Sequence, residues 1–280
     1  MPVQRILPAA PLRPFIDNFF DLWLPPGSAA PVCDHVLPQI PTLYLMVKGE
    51  GTAASKTQGT VPLSPLSIAG PLTDPVAVSL TVPLRIVGMG LRPAGWDALL
   101  SPPPVDLLNR VVPLASVATV DFKPVLADMA ATTFGAAFDR LQHHVRGMLA
   151  AVDARPDDRS VAVRELVDRG EVRSTEALSA RLNLSRRQTV RYVKDRFGVE
   201  PKLMIRIARF QRTVARMMAE GSSGASGLVY SEYADHAHFT RDFRRFANTT
   251  PARYFAAPHP LWQDVWISKT PFMAPDEVAE

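Results

Sequence analysis

Two stretches in the last third of the chain carry side chains whose types and spacing suit one chemistry: paired hydrogen bonding to nucleic-acid bases and phosphates. The first is Leu178–Ser179–Ala180–Arg181–Leu182–Asn183–Leu184–Ser185–Arg186–Arg187–Gln188–Thr189–Val190–Arg191. The second is Tyr233–Ala234–Asp235–His236–Ala237–His238–Phe239–Thr240–Arg241–Asp242–Phe243–Arg244–Arg245–Phe246. In each, a capping residue (Ser185 or Asp235) opens a helix with arginine on one face and apolar residues on the other. A guanidinium donates to guanine O6 and N7 together, so an arginine-rich helix N-terminus is what entry into a DNA major groove requires. Arg187 and Arg191 are the expected base readers of the first unit, with Val190 against a thymine methyl and Arg186 and Lys194 on the same outer face. In the second, His236, Thr240 and Arg241 point outward near the helix start, while Arg244 and Arg245 are placed for phosphate.

Positioning these side chains needs a scaffold, and its signals are local. Ser174 caps a helix running to Leu182, with Glu176 in its first turn and Leu178 and Leu182 facing inward. Asn183 stands where a left-handed residue ends that helix, and Gly198 is the natural stop for the next. Thr189, Tyr192, Val193 and Phe197 form the inward stripe of the first reading helix. Phe239, Phe243 and Phe246 do the same for the second. Between the units, Pro201 opens a long helix with Leu203, Ile207, Phe210, Val214 and Met217 on one face, carrying Arg206, Arg209, Arg212 and Arg216. Such a helix fixes the separation of two units that read grooves ~34 Å apart. His236 and His238 diverge by about 200° on a helix and make a poor metal pair, so His238 is expected to be structural.

Charge placement agrees with that reading. The net charge of the 280 residues is only +4, and residues 1–150 are neutral. Segment 181–216 holds eleven Arg and Lys against Asp195 and Glu200, an excess that attracts a phosphate backbone. The bland alternative is a solvated basic helix face. Other classes find little support. Cys33 alone excludes a disulfide framework and a multi-cysteine zinc site, and its expected place is a buried β core. Cys33–Asp34–His35 are consecutive on a strand and cannot converge as a catalytic dyad, and His143 and His144 diverge by about 100° on a helix. No cofactor, metal or enzymatic activity is expected. No apolar run approaches the ~20 residues that span a bilayer, and Met1–Leu12 lacks the core of a secretory signal, so the expected location is the cytoplasm.

The first half reads differently. Leu12, Phe15, Ile16 and Phe19 recur at helical spacing and predict a short helix within Pro11–Phe20. Strand-like runs follow at Thr42–Val47, Leu66–Ile68, Ala77–Val82 and Arg85–Leu91, punctuated by glycine and proline. From Ala94 to Val152 the pattern turns helical, and Asp153–Asp158, with Pro156, is the linker candidate before a helix at Ser160–Arg169. The fold class is therefore α+β. It comprises a β-rich N-terminal domain (a small barrel or sandwich, with trailing helices) and an all-α C-terminal domain of two helix-turn-helix units joined by a long helix. The expected boundaries are 1–153, 154–258 and a tail at 259–280, for whose Trp262 and Trp266 we have no functional account.

These residues resemble the AraC/XylS family of bacterial transcription regulators over about Val161–Phe255. The resemblance rests on Leu178, Leu184–Ser185, Arg191, Gly198, Pro201, Arg209–Phe210, Asp235, His238–Phe239, Arg241, Phe243–Arg244–Arg245–Phe246 and Thr250–Pro251. The spacing from Arg209 to Asp235 matches that family without a gap. The first half is similar to the sensor domain of one branch of these regulators, through His35–Val36–Leu37–Pro38, Gly70–Pro71, Val87–Gly88–Met89–Gly90–Leu91–Arg92–Pro93–Ala94–Gly95 and Asn109–Arg110–Val111–Val112–Pro113–Leu114. Members of the family that are methyl-accepting repair factors use a cysteine cluster that this chain lacks. The resemblance implies a sequence-specific regulator that inserts two helices into successive major grooves of double-stranded DNA, with an N-terminal half for ligand sensing, dimerisation or both. Partners left open are RNA polymerase, an unknown small-molecule effector and a second copy of the chain. No membrane is expected as a partner. Trp23, His35, Arg92 and Trp96 have the residue types of a pocket lining, although core and turn roles suit them better.

Departures from the family cluster on the scaffold helix of the second unit, at Gly224, Gly227, Leu228 and Glu232. Each helical Gly costs ~1 kcal/mol relative to Ala, and Glu232 at a site favouring positive φ would cost about as much. The expectation is that the first unit anchors and the second reads more loosely. The alternative is a regulator-like protein with weakened DNA reading that acts by protein–protein contact.

Overall fold

The computed structural model describes residues 3–27, 31–220, 232–259 and 261. Among the described residues, ten antiparallel strands form two sheets. They are β1 (Val3–Ile6), β2 (Ile16–Leu24), β3 (Val32–Val36), β4 (Thr42–Lys48), β5 (Gly51–Ser55), β6 (Gly59–Pro62), β7 (Leu66–Ala69), β8 (Val76–Leu80), β9 (Leu84–Leu91) and β10 (Val111–Pro113). The six-stranded sheet runs β1-β2-β9-β4-β7-β10 and the four-stranded one β3-β8-β5-β6.

The six-stranded sheet is covered on both faces, and this explains its sequence. Every residue of β9 is buried, and β2 is buried along nearly all its length. A strand so enclosed shows no polar–apolar alternation. The expected helix at Pro11–Phe20 is therefore a misreading. Leu12 ends a short 3-10 turn at Ala10–Leu12, while Ile16 and Phe19 belong to β2, which pairs with β1 and β9. Strand β3 does alternate: Val32, Asp34 and Val36 point inward, while Cys33 and His35 are exposed. The single thiol is thus outside the core, contrary to expectation, because the register assigns the inward position beside it to Asp34.

One face of the larger sheet carries helices α1 (Pro93–Leu99), α2 (Lys123–Ala130) and α3 (Ala137–Ala151). Phe19, Leu43, Val87 and Met89 meet Trp96, Met129, Leu141 and Val145 there. Arg85 fastens the α2–α3 turn to the sheet: its guanidinium donates to Asp21 at 2.9 and 3.2 Å and to the carbonyls of Met129, Thr132 and Thr133. A fork geometry with five donors is what lets one buried cation satisfy so many acceptors. The other face meets the small sheet.

Asp157 caps α4 (Asp158–Asp168), accepting from the Ser160 amide at 3.1 Å. Helices α5 (Thr175–Leu182), α6 (Arg186–Phe197), α7 (Pro201–Glu220), α8 (His236–Ala247) and α9 (Pro251–Ala256) follow. Helix α7 runs through two cores. Met204 and Ala208 join Val163, Val167, Leu178 and Val193, while Phe210 and Val214 join Phe239, Phe243, Phe246 and Tyr254. Among the described residues no helix is long and apolar enough to cross a membrane.

Candidate nucleic-acid interface

The first unit is closed by its own local bonds. Ser174 accepts from the Ala177 amide at 3.1 Å, and Asn183 ends α5 in the left-handed conformation at φ 53°. Ser185 and Gln188 form a reciprocal capping box on α6, with the Ser185 amide donating to Gln188 Oε1 at 2.9 Å. Gly198 ends α6 at φ 72°, where an added Cβ would lie 3.0 Å from Pro71 and from the Pro104 and Val105 backbone, so the position takes only glycine. Thr189 and Val193 are buried beneath this helix. Arg186, Arg187, Arg191 and Lys194 stand exposed on it, with Val190 half-buried among them.

The second unit is held by long-range charge. Asp235 caps α8 through the His238 amide at 2.6 Å, and the three expected phenylalanines are buried. Asp242, on the same helix and 1% exposed, accepts from Arg206 at 2.6 Å and from Arg209 at 2.8 Å. Arg209 also donates to His238 Nε2 at 3.1 Å and lies over the Tyr233 ring, which confirms a structural His238. Arg212 is clamped by Glu232 at 3.0 and 3.1 Å and donates to the carbonyls of Val167 and Asp168. Sequence reasoning counted these arginines as part of a basic surface. Asp242 and Glu232 neutralise them, and only the tertiary fold brings those acids close.

The expected DNA contacts therefore divide. Among the described residues Arg187, Arg191, Lys194, Arg241 and Arg244 are exposed and make no ion pair. Arg186 shares an exposed pair with Glu176 at 2.9 Å, of the kind that contributes little. Arg245 turns toward the N-terminal half and reaches Asp74 at 3.6 Å. His236 is exposed and Thr240 half-buried. Arg196, which sequence reasoning left aside, closes the far end of α6. It bonds Asp97 of α1 and lies 2.9 Å from Asp157, whose carboxylate also accepts from the Tyr192 hydroxyl at 3.0 Å. Burial and the Asp157 carboxylate hold the Tyr192 phenol well above its ordinary pKa, against the opposing charge of Arg196.

Comparison with known proteins addresses the same segment. A family model described as a helix-turn-helix domain matches residues 178–257, spanning α5 through α9 and hence both units. The chain carries an AraC-type helix-turn-helix module at residues 178–257. Its AraC-type module marks a DNA-binding transcription regulator. A second model, a domain of unknown function (DUF6597), matches residues 4–113. No curated protein matches the sequence. Among solved structures, ToxT from Vibrio cholerae shares the two-part fold. A 1.65 Å structure is 9% identical, covers 93% of this chain and 99% of its own, and has a TM-score of 0.51. ToxT from Vibrio cholerae O395 bound to (E)-4-(8-methylnaphthalen-1-yl)but-3-enoic acid is also 9% identical, covers 91% and 99%, and has a TM-score of 0.50.

Of the departures from the AraC/XylS pattern, Gly224, Gly227 and Leu228 lie outside the described residues. Glu232 is helical and its carboxylate is the partner of buried Arg212. What reads as a defect in the family pattern is a cross-link from the second unit to α4. The residues weighed as a pocket lining scatter. Trp23 lies under Lys48, His35 is exposed, and Trp96 is buried with its indole donating to the Pro102 carbonyl. Trp96 and Arg92 border a small cleft that Arg164, Arg196 and Phe197 close from the other side. A separate apolar cavity of about 50 Å³ lies between the two sheets, bordered by Val36, Tyr44, Met46, Leu72, Val78 and Ile86. Burial there pushes the Tyr44 phenol up to about 12, against the hydrogen bond it receives from Gln39.

Proposed function

We propose that this regulator reads DNA by inserting α6 and α8 into successive major grooves, with residues 1–153 modulating residues 154–258. The observation that carries the reading is Arg187, Arg191 and Lys194 standing exposed and without an ion pair on a helix whose caps are all formed. The formed caps fix the backbone that bears these groups, so docking orders their side chains but not the helix. Arg187, Val190 and Arg191 meet base edges, with Arg186 and Lys194 on the flanking phosphates. On α8, His236, Thr240 and Arg241 read bases, and Arg244 meets phosphate, as does Arg245 once it leaves Asp74. The modulating ligand suited to the cavity between the sheets is small and largely apolar. The likeness in fold to ToxT, one structure of which holds a naphthyl butenoic acid, supports an effector of that general kind.

Genomic footprinting of the bound chain, followed by salt titration of its affinity for the recovered sites, tests the proposal. A steep fall of affinity with salt is expected, with a slope of about −0.9 per phosphate neutralised. Absence of any salt-dependent binding would leave the alternative, regulation by protein–protein contact alone.

A further inference from the structure

Beyond α9 the chain touches the N-terminal half again. His259 lies there, its side chain 10% exposed and its ring stacked on Tyr254 at a centroid distance of 3.9 Å. Nδ1 is 3.2 Å from Asp34 Oδ1, and Nε2 is 2.8 Å from the carbonyl oxygen of Tyr254. A carboxylate and a peptide carbonyl are acceptors only. Both ring nitrogens must therefore donate, and only the imidazolium carries two N–H groups. A neutral ring would turn a lone pair onto one of these oxygens, whichever tautomer it took.

We propose that His259 is an imidazolium in the docked chain and acts as a proton-linked latch fastening the end of the second helix-turn-helix unit to strand β3. The surroundings are built for a cation. Asp34, with its side chain 2% exposed, also accepts from the His35 amide at 2.7 Å and the Leu261 amide at 3.1 Å, so its oxygens are well provided with donors. Among the described residues the ionisable groups facing the ring are Asp34 from β3 and Tyr254 from α9. Arg253 of α9 is exposed, and β8, which sets Val78 opposite Asp34, has no ionisable side chain. The Tyr254 carbonyl belongs to the C-terminal end of α9, where the helix dipole favours positive charge. Burial alone would favour the neutral ring, but Asp34 and that carbonyl outweigh it, and the imidazole pKa is raised.

The docked state binds a proton that a released His259, with an ordinary pKa near ~6.5, gives up. The latch is complete below that pH and is lost as pH rises through the raised value of the docked ring. Between the two values each pH unit shifts the docking equilibrium by up to about tenfold.

This does not depend on how DNA is read, and its test uses the full chain without DNA. Nitrogen-resolved NMR of the imidazoles at pH 7 is expected to show His259 with both nitrogens protonated, titrating above an ordinary histidine. Asp34→Asn should bring that pKa down. Hydrogen exchange of the β3 amides and of Leu261, corrected for intrinsic rates, should lose protection with rising pH in the natural chain and stay flat in His259→Gln. A neutral tautomer at pH 7, a pKa indifferent to Asp34→Asn, or the same pH trend in His259→Gln would overturn the latch. Should His259→Gln not fold, the NMR titration of the natural chain decides alone.

Discussion

The two helix-turn-helix units solve the same positioning problem by opposite means. The first is assembled from neighbours in sequence: Ser174, Asn183, Ser185, Gln188 and Gly198 shape its turns, and its arginines remain outside. The second is assembled across sequence: Asp242 draws in Arg206 and Arg209, Glu232 draws in Arg212, and Asp74 reaches Arg245. The difference teaches that arginine count does not measure a DNA-binding surface. Of eleven basic residues in 181–216, Arg206, Arg209 and Arg212 hold the fold, and Arg196 ties α6 to the rest of the chain.

That contrast can be broken most severely at Asp242. Asp242→Asn removes the buried carboxylate that Arg206 and Arg209 share and leaves both without a countercharge, and a loss of about 3 kcal/mol is expected in urea denaturation. An unchanged midpoint would mean that charge does not support the second unit. Next comes the comparison of readers. Arg187→Ala should weaken binding to a footprinted site by about 1–3 kcal/mol, and Arg241→Ala by less. A larger loss from Arg241 in the same anisotropy titration would refute the anchoring role of the first unit. The smallest effect is local. Ser185→Ala removes one half of a capping box and should cost about 1 kcal/mol of stability, seen as a lower denaturation midpoint with affinity reduced no further than partial unfolding explains.

Legibility in the sequence followed the same division. Caps and stops are local, so Ser174, Asn183, Ser185, Gly198 and Asp235 announced the ends of α5, α6 and α8 correctly. The strands were harder because their cause is remote. β2 looked helical because it is buried on both faces, β5 and β6 form a hairpin of mostly small and polar residues, and β10 is a three-residue strand whose partner β7 lies far back along the chain. Cys33 was misplaced because one residue of register decides which side chain enters the sheet interior. The candidate site was legible in its residue types but not in its electrostatics. No spacing rule ties Arg206 to Asp242 or Arg245 to Asp74 before the chain has folded.

Arg196 gives the pairing of its two acids a mechanical meaning. It lies on the last turn of α6, about 13 Å along the axis from Arg187, gripped by Asp97 of the N-terminal half and by Asp157 at the start of α4. A rigid helix held at one end is a lever, and a tilt of about 5° there carries Arg187 by about 1 Å. A displacement of that size spoils a hydrogen bond. Any rearrangement that moves Asp97 against Asp157 therefore adjusts the aim of the reading helix from behind, without touching a residue that meets DNA.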